Sequence, residues 1–140
     1  LFDAGVFRAI RPKGPFDRPE EIEGTALEGL VAQHLYAWVK YNDDRDALFF
    51  WRTKAGSEVD FVLYGPSGIF AFEVKNTDVI RTKDLRHLKT FLKDYPMAKG
   101  FFIYRGDTPR LIDGILCLPC EDFLPQIGPD TDFGEMHSPQ

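Results

Sequence analysis

The chain has 140 residues, 44% of them hydrophobic and 28% charged, an ordinary globular balance that suits one domain around a single core. A net charge of −5 and a pI near 5.1 exclude nucleic-acid binding through overall electrostatics but leave room for a local basic patch. No apolar run approaches the roughly 20 residues of a membrane span.

Leu1 rather than Met at the start points to a piece of a longer chain, and no signal-peptide pattern is visible. Leu1 to Ile10 reads as a short strand or turn segment with Phe2, Val6 and Phe7 inward. Arg11 to Gly24 is rich in Pro, Gly and charge, and reads as a loop. Thr25 then opens a helix, with Glu28 three residues on as in a capping box. Leu27, Leu30, Val31, Leu35, Trp38 and Val39 recur at helical spacing, so one face is expected in the core. Asn42 to Asp46 ends the helix.

Leu48 to Trp51 has strand character, and Lys54 to Ser57 is a turn. Glu58 to Tyr64 and Ile69 to Lys75 both alternate around the turn Gly65-Pro66-Ser67-Gly68, which predicts a β-hairpin. Arg81 to Tyr95 is a second amphipathic helix with Leu85, Leu88 and Leu92 inward, ended by Pro96. Gly100 to Tyr104 reads as a buried strand, Leu111 to Cys117 as another, and Glu121 to Ile127 as a short helix. Gly128 to Gln140 reads as a disordered tail. The expected order is α-β-β-β-α-β-β around one mixed sheet, an α/β fold, with residues 1–127 as a single domain.

Two cysteines, Cys117 and Cys120, form a C-x-x-C pair. A structural zinc site needs four ligands, and only His137 is near, so two structural, reduced thiols are expected. The expected location is the cytoplasm.

The chemistry sits in the hairpin. Side chains alternate along a strand, so Val59, Phe61 and Leu63 share one face while Asp60, Val62 and Tyr64 take the other. In the second strand Phe70, Phe72 and Val74 share a face, and Glu73 and Lys75 lie opposite with Ile69 and Ala71. Two acids and a lysine thus converge within otherwise apolar strands. A buried carboxylate costs several kcal/mol unless a metal or counter-ion meets it. Mg²⁺ takes carboxylate oxygens and keeps several waters. It lowers the pKa of a bound water and stabilises phosphate charge, and a nearby lysine orients that water. Glu28, at the edge of the apolar stripe of the first helix, offers a third acid. The same residues also fit a structural role: Glu28 as the N3 residue of a capping box, Glu73 and Lys75 as a solvated strand face, and Asp60 as the end of a turn.

The ordered set Glu28, Glu58-Val59-Asp60-Phe61 and Phe72-Glu73-Val74-Lys75 resembles the PD-(D/E)XK nuclease superfamily. With Trp51-Arg52-Thr53-Lys54, Phe2-Asp3-Ala4-Gly5-Val6, Leu27-Glu28-Gly29-Leu30-Val31 and Gly114-Ile115-Leu116-Cys117-Leu118-Pro119, it is similar to one group more narrowly. That group is the nuclease-like domain of unknown function found C-terminal to a P-loop ATPase module in many bacterial and archaeal proteins. The resemblance covers most of residues 1–127 and implies a restriction-endonuclease-like fold. It implies Asp60 and Glu73 as ligands of Mg²⁺ or Mn²⁺, Lys75 assisting the water, Glu28 supporting the site, and an ATPase module in the same longer chain. The Asp of the superfamily is often preceded by Pro; here Val59 takes that place. Fold analogy alone does not establish activity.

Arg86, Lys89 and Lys93 recur at helical spacing on the face opposite Leu85, Leu88 and Leu92. With Arg52, Lys54 and Lys75 they are candidates to track a phosphate backbone, or equally a solvated surface. His34 is expected to pack and His87 to lie on the surface; Trp38 and Trp51 are expected in the core. Three functions follow: a metal-dependent nuclease, an inactive nuclease-like module that binds nucleic acid or protein for the ATPase, or a purely structural or oligomerising domain.

Overall fold

The computed structural model describes residues 5–9 and 22–137, with the backbone alone for 22–25. Phe2 and residues 10–21 lie outside the described residues. Among the described residues one seven-stranded sheet forms, with helices on both faces. Its strands are β1 (Val6–Ala9), β2 (Ala47–Arg52), β3 (Glu58–Gly65), β4 (Gly68–Val74), β5 (Lys99–Tyr104), β6 (Arg110–Ile112) and β7 (Ile115–Pro119), in the spatial order β1-β2-β3-β4-β5-β7-β6. β1 to β4 pair antiparallel, β4, β5 and β7 parallel, and β6 returns antiparallel on β7. The sheet is therefore mixed, as the order of elements predicts. β5 and β7 are almost wholly buried, which accounts for their unbroken apolar sequence, since parallel strands are covered on both faces.

Helix α1 (Ile22–Tyr41) covers one face through Leu27, Val31, Leu35, Trp38 and Val39, which pack on Phe61, Leu63, Phe70, Phe72, Phe101 and Ile103. Leu30, expected inward, is 40% exposed. The helical backbone begins at Ile22, within the segment read as loop and one turn before Thr25. Thr25 is therefore interior to the helix, and Glu28 is not the third residue of a capping box. On the opposite face a 3-10 turn (Thr82–Leu85) runs into α2 (Arg86–Asp94). Leu85, Leu88 and Phe91 there cover Trp51, Val59, Val62, Ala71 and Phe102.

At the start of the sheet Phe7 is half-buried and packs edge-on to Phe49 and Phe91. Val6, expected inward, is 57% exposed, because neighbouring strand residues point to opposite faces. The single strand expected over Leu111–Cys117 is a hairpin instead. Ile112 pairs with Ile115 across Asp113 and Gly114, whose φ values of 50° and 80° fit the two-residue turn that Asp-Gly favours.

The tail expected to be disordered packs as far as it is described. After α3 (Cys120–Phe123) and a 3-10 turn (Leu124–Gln126), the chain returns to the α1 face, where Phe133 is 1% exposed. Phe133 lies edge-on to Trp38 at 5.0 Å and to Phe72 at 5.4 Å between ring centroids. The ammonium group of Lys99 donates to the backbone carbonyls of Phe133, Gly134 and Met136. Burial of one aromatic ring, with the Lys99 ammonium bonded to three carbonyls, offsets the polar composition that suggested disorder. Phe133→Ala is expected to cost about 3–5 kcal/mol, measured by denaturant unfolding of wild type and variant.

Candidate active site

The alternation read from the hairpin is broken at one residue. Phe49 pairs with Val62 and Trp51 with Val59, so β3 carries one more residue than β2 between those pairs. This β-bulge places Asp60 and Phe61 together opposite Phe50. Val59 therefore packs with Val62 under α2, while Phe61 and Leu63 pack under α1; the expectation that Val59, Phe61 and Leu63 share a face fails by that one insertion. β3–β4 pairing also stops at Phe61–Phe72. Beyond it the Asp60 carboxyl takes over, accepting the Val74 N–H at 2.8 Å through Oδ2.

β4 keeps strict alternation. Phe70, Phe72 and Val74 pack toward α1 and Ile69 and Ala71 toward α2, which puts Glu73 on the α2 side. Asp60, Glu73 and Lys75 then line one cavity of about 340 Å³, with Glu58, Lys83, Asp84, Arg86 and His87 around it. The three expected side chains are brought together. Glu28 is not part of that lining.

The electrostatics follow from burial. Glu73 has its pKa raised to about 10, first by desolvation, then by the Asp60 charge and a hydrogen bond shared with Asp60. Asp60 is also raised: burial outweighs its hydrogen bonds with Glu73 and the Val74 amide. Two carboxyls in contact cannot both ionise cheaply, so the pair holds a proton. Glu28 is raised to about 7 by desolvation and by the charges of Asp60 and Glu58, so from α1 it feels Asp60.

Lys75 does not sit between these acids. Its Nζ lies 2.5 Å from Oδ1 of Asp84, whose side chain is 0% exposed against 45% for the lysine. Oδ2 of Asp84 accepts the Arg81 N–H at 2.8 Å. Burial by itself would raise the Asp84 pKa, but the bonds from Lys75 and Arg81 hold it below the usual carboxylate range. Asp84 escaped the sequence reading, although Arg81-Thr82-Lys83-Asp84 places an acid where it can cap the first turn of a helix. His87, expected to lie on the surface, is half-buried and lines the cavity. Its Nδ1 is 3.0 Å from the Glu58 carbonyl oxygen, which ties α2 to the start of β3.

The expected cationic surface is divided. Arg86 lines both the acidic cavity and a neighbouring one of about 550 Å³ formed by Thr82, Lys83, Lys89, Thr90 and Lys93. Lys89 also pairs with Asp113 at 2.7 Å. Arg52 pairs with Glu58 at 3.3 Å, both well exposed, a contact worth little to stability. Arg52 and Lys54 line neither cavity. Cys117 and Cys120 are free and buried; burial raises the Cys117 thiol to about 11, so it is a poor nucleophile.

Among the described residues no three His, Cys, Asp or Glu side chains form a metal-holding group. The donor set is instead two carboxyls in contact, and Mg²⁺ is commonly held by one or two carboxylates with water completing its shell. Such an ion fits beside the two carboxyls, because among the described residues no salt bridge joins either acid to a lysine or arginine, and the charge of His87 only partly offsets the burial of Asp60.

The model of a domain of unknown function, DUF4143, matches residues 23–123. The chain belongs to the DUF4143 family. It is 26% identical over 102 residues to the uncharacterized protein Mb2031c of Mycobacterium bovis and, equally, to the uncharacterized protein Rv2008c of Mycobacterium tuberculosis. Those matches span 72% of this chain and 22% of each relative, so this DUF4143 domain corresponds to a small part of the relatives' length. No solved structure matches. Among the described residues no helix is long and apolar enough to cross a membrane.

A carboxyl whose pKa is raised by folding stabilises the fold below its unfolded pKa and loses that contribution as pH rises through the folded value. The metal-free domain is therefore expected to lose thermal stability between about pH 4.5 and 7 as Glu28 ionises, and further toward about pH 10 as Glu73 does. Melting temperatures across pH 5–9 should fall by several degrees in wild type and markedly less in Glu73→Gln.

Proposed function

We propose that this domain is a divalent-metal-dependent nuclease of the PD-(D/E)XK type, with a restriction-endonuclease-like fold, acting on nucleic-acid phosphodiester bonds. The observation that carries this reading is that the buried acids Asp60 and Glu73 and the ammonium-bearing Lys75 line one cavity. Asp60 and Glu73 would hold Mg²⁺ or Mn²⁺, which supplies an acidified water and charge neutralisation at the phosphate. Asp60, fixed by the Val74 amide, presents its remaining oxygen to the cavity. Lys75 uses one of three N–H donors on Asp84 and keeps two for a water or a phosphate oxygen. Glu28 adds negative potential from α1 and favours retention of a cation. Lys83 and Arg86 belong to the linings of both cavities, which offers a continuous path for a phosphate backbone away from the acids.

A second reading is a module without turnover that binds nucleic acid or a protein segment for an ATPase module elsewhere in the longer chain. The Lys75–Asp84 contact favours it, because the lysine is engaged away from the acid pair.

Purified protein with Mg²⁺ or Mn²⁺ is expected to nick plasmid DNA or cut single-stranded DNA or RNA. Asp60→Ala and Lys75→Ala should each lower the rate at least roughly 100-fold; cutting that survives both substitutions would refute the assignment. Manganese should raise the melting temperature more at pH 8 than at pH 6, because the metal displaces the shared proton, and Asp60→Ala should remove that increment. Lys83→Glu combined with Arg86→Glu should weaken nucleic-acid binding and lessen its salt dependence, read by titration at two ionic strengths; unchanged affinity would exclude this path.

A further inference from the structure

The nuclease reading leaves open what holds Lys75 in place. Lys75 lies one residue past the end of β4, where its backbone N–H still bonds to Ile103 O at 2.9 Å. From there four methylene groups carry the ammonium into the cavity, and a free lysine side chain samples many rotamers. Asp84 meets it from the protein side. The carboxyl is fully buried, its Oδ1 is 2.5 Å from Nζ, and its Oδ2 accepts the Arg81 N–H. The Asp84 N–H in turn bonds to Arg81 O at 2.9 Å. Both oxygens and the backbone of Asp84 are thus engaged. The carboxylate cannot follow the lysine outward without leaving a buried charge unpaired.

Building on the nuclease reading, we propose that Asp84 is the positioning residue for Lys75, a buried anchor that fixes the ammonium at the rim of the Asp60–Glu73 pair and couples it to the turn that opens α2. The geometry distinguishes this from an ordinary surface ion pair. Exposed pairs leave both partners mobile, whereas here one partner is buried with both of its oxygens engaged. The ammonium keeps its charge and two N–H donors for the reacting groups. The same turn carries Lys83, and α2 begins with Arg86, so the cations expected along the phosphate path and the cation expected at the chemistry are set by one short segment.

Asp84→Asn tests this, since the amide oxygen can still accept the Arg81 N–H while the charge that holds the lysine is lost. In the wild-type chain with Mn²⁺, misplacing the ammonium should lower kcat roughly 10- to 100-fold. KM and the Mn²⁺ affinity by calorimetry should stay within about twofold, and circular dichroism should be unchanged. A second readout needs no activity. After reductive ¹³C-methylation, the Lys75 signal, identified by its loss in Lys75→Arg, should stand apart from the surface lysines in wild type and merge with them in Asp84→Asn. A wild-type Lys75 signal within the surface group would overturn the anchor. Asp84→Asn with wild-type kcat, or with KM and metal affinity changed as much as kcat, would overturn the positioning role while leaving the nuclease reading intact. A wild type that cuts nothing, with its Lys75 signal still displaced, would overturn the nuclease reading and with it the catalytic meaning of the anchor.

Discussion

The hydrogen bond from the Val74 amide to the Asp60 carboxylate is the constraint around which the site is built. It lies where the β3–β4 ladder ends, at the fork between two strands that diverge beyond Phe61 and Phe72. A buried amide left without an acceptor would cost about as much as a lost hydrogen bond. Here a side chain provides the acceptor that the neighbouring backbone no longer can. That solution places a carboxyl at the end of the β3–β4 ladder, between central strands of the sheet and beside Glu73, where water is scarce. The raised pKa of both acids is the direct consequence.

The bulge in β3 makes the fork possible. One extra residue opposite Phe50 lets Val59 and Val62 face α2 while Phe61 and Leu63 face α1. Without it Asp60 would take its place in a regular ladder and its carboxyl would follow the pleat. The apolar packing on either side fixes the bulge, because sliding β3 by one residue would turn Phe61 and Leu63 out of a core made of Phe72, Phe101 and Ile103. Core packing on one face and site geometry on the other are therefore set by the same registration. The cost of the buried acids is borne by that aromatic core, which the C-terminal segment completes through Phe133.

Across the cavity the second helical segment supplies opposite charge. Asp84 is buried beneath Lys75, His87 ties α2 to Glu58, and Lys83 and Arg86 extend a positive surface into the neighbouring cavity. In an acidic domain such positive charge can only be local. Here it is confined to the outer side of one turn and one short helix, with Lys89 partly compensated by Asp113.

The sequence by itself determined the elements whose side chains answer to local periodicity. The apolar stripe of α1, the β3–β4 hairpin around Gly65 to Gly68, and the buried runs of β5 and β7 follow from residue spacing, and so does the placing of Glu73 opposite Phe72 and Val74. Asp113-Gly114 carried the signal of the last hairpin, although an unbroken strand was the expectation there. Other features belong to tertiary structure alone. Whether 128–137 packs depends on a niche between Trp38 and Phe72, formed by residues far away in the chain. The bulge at Asp60 is defined only against β2. The partner of Lys75 comes from a turn nine residues on, and nothing in the spacing of Lys75 and Asp84 states that one is buried and the other reaches it. Periodicity fixes which way a side chain leaves its own strand or helix; which group it then meets depends on how those elements pack.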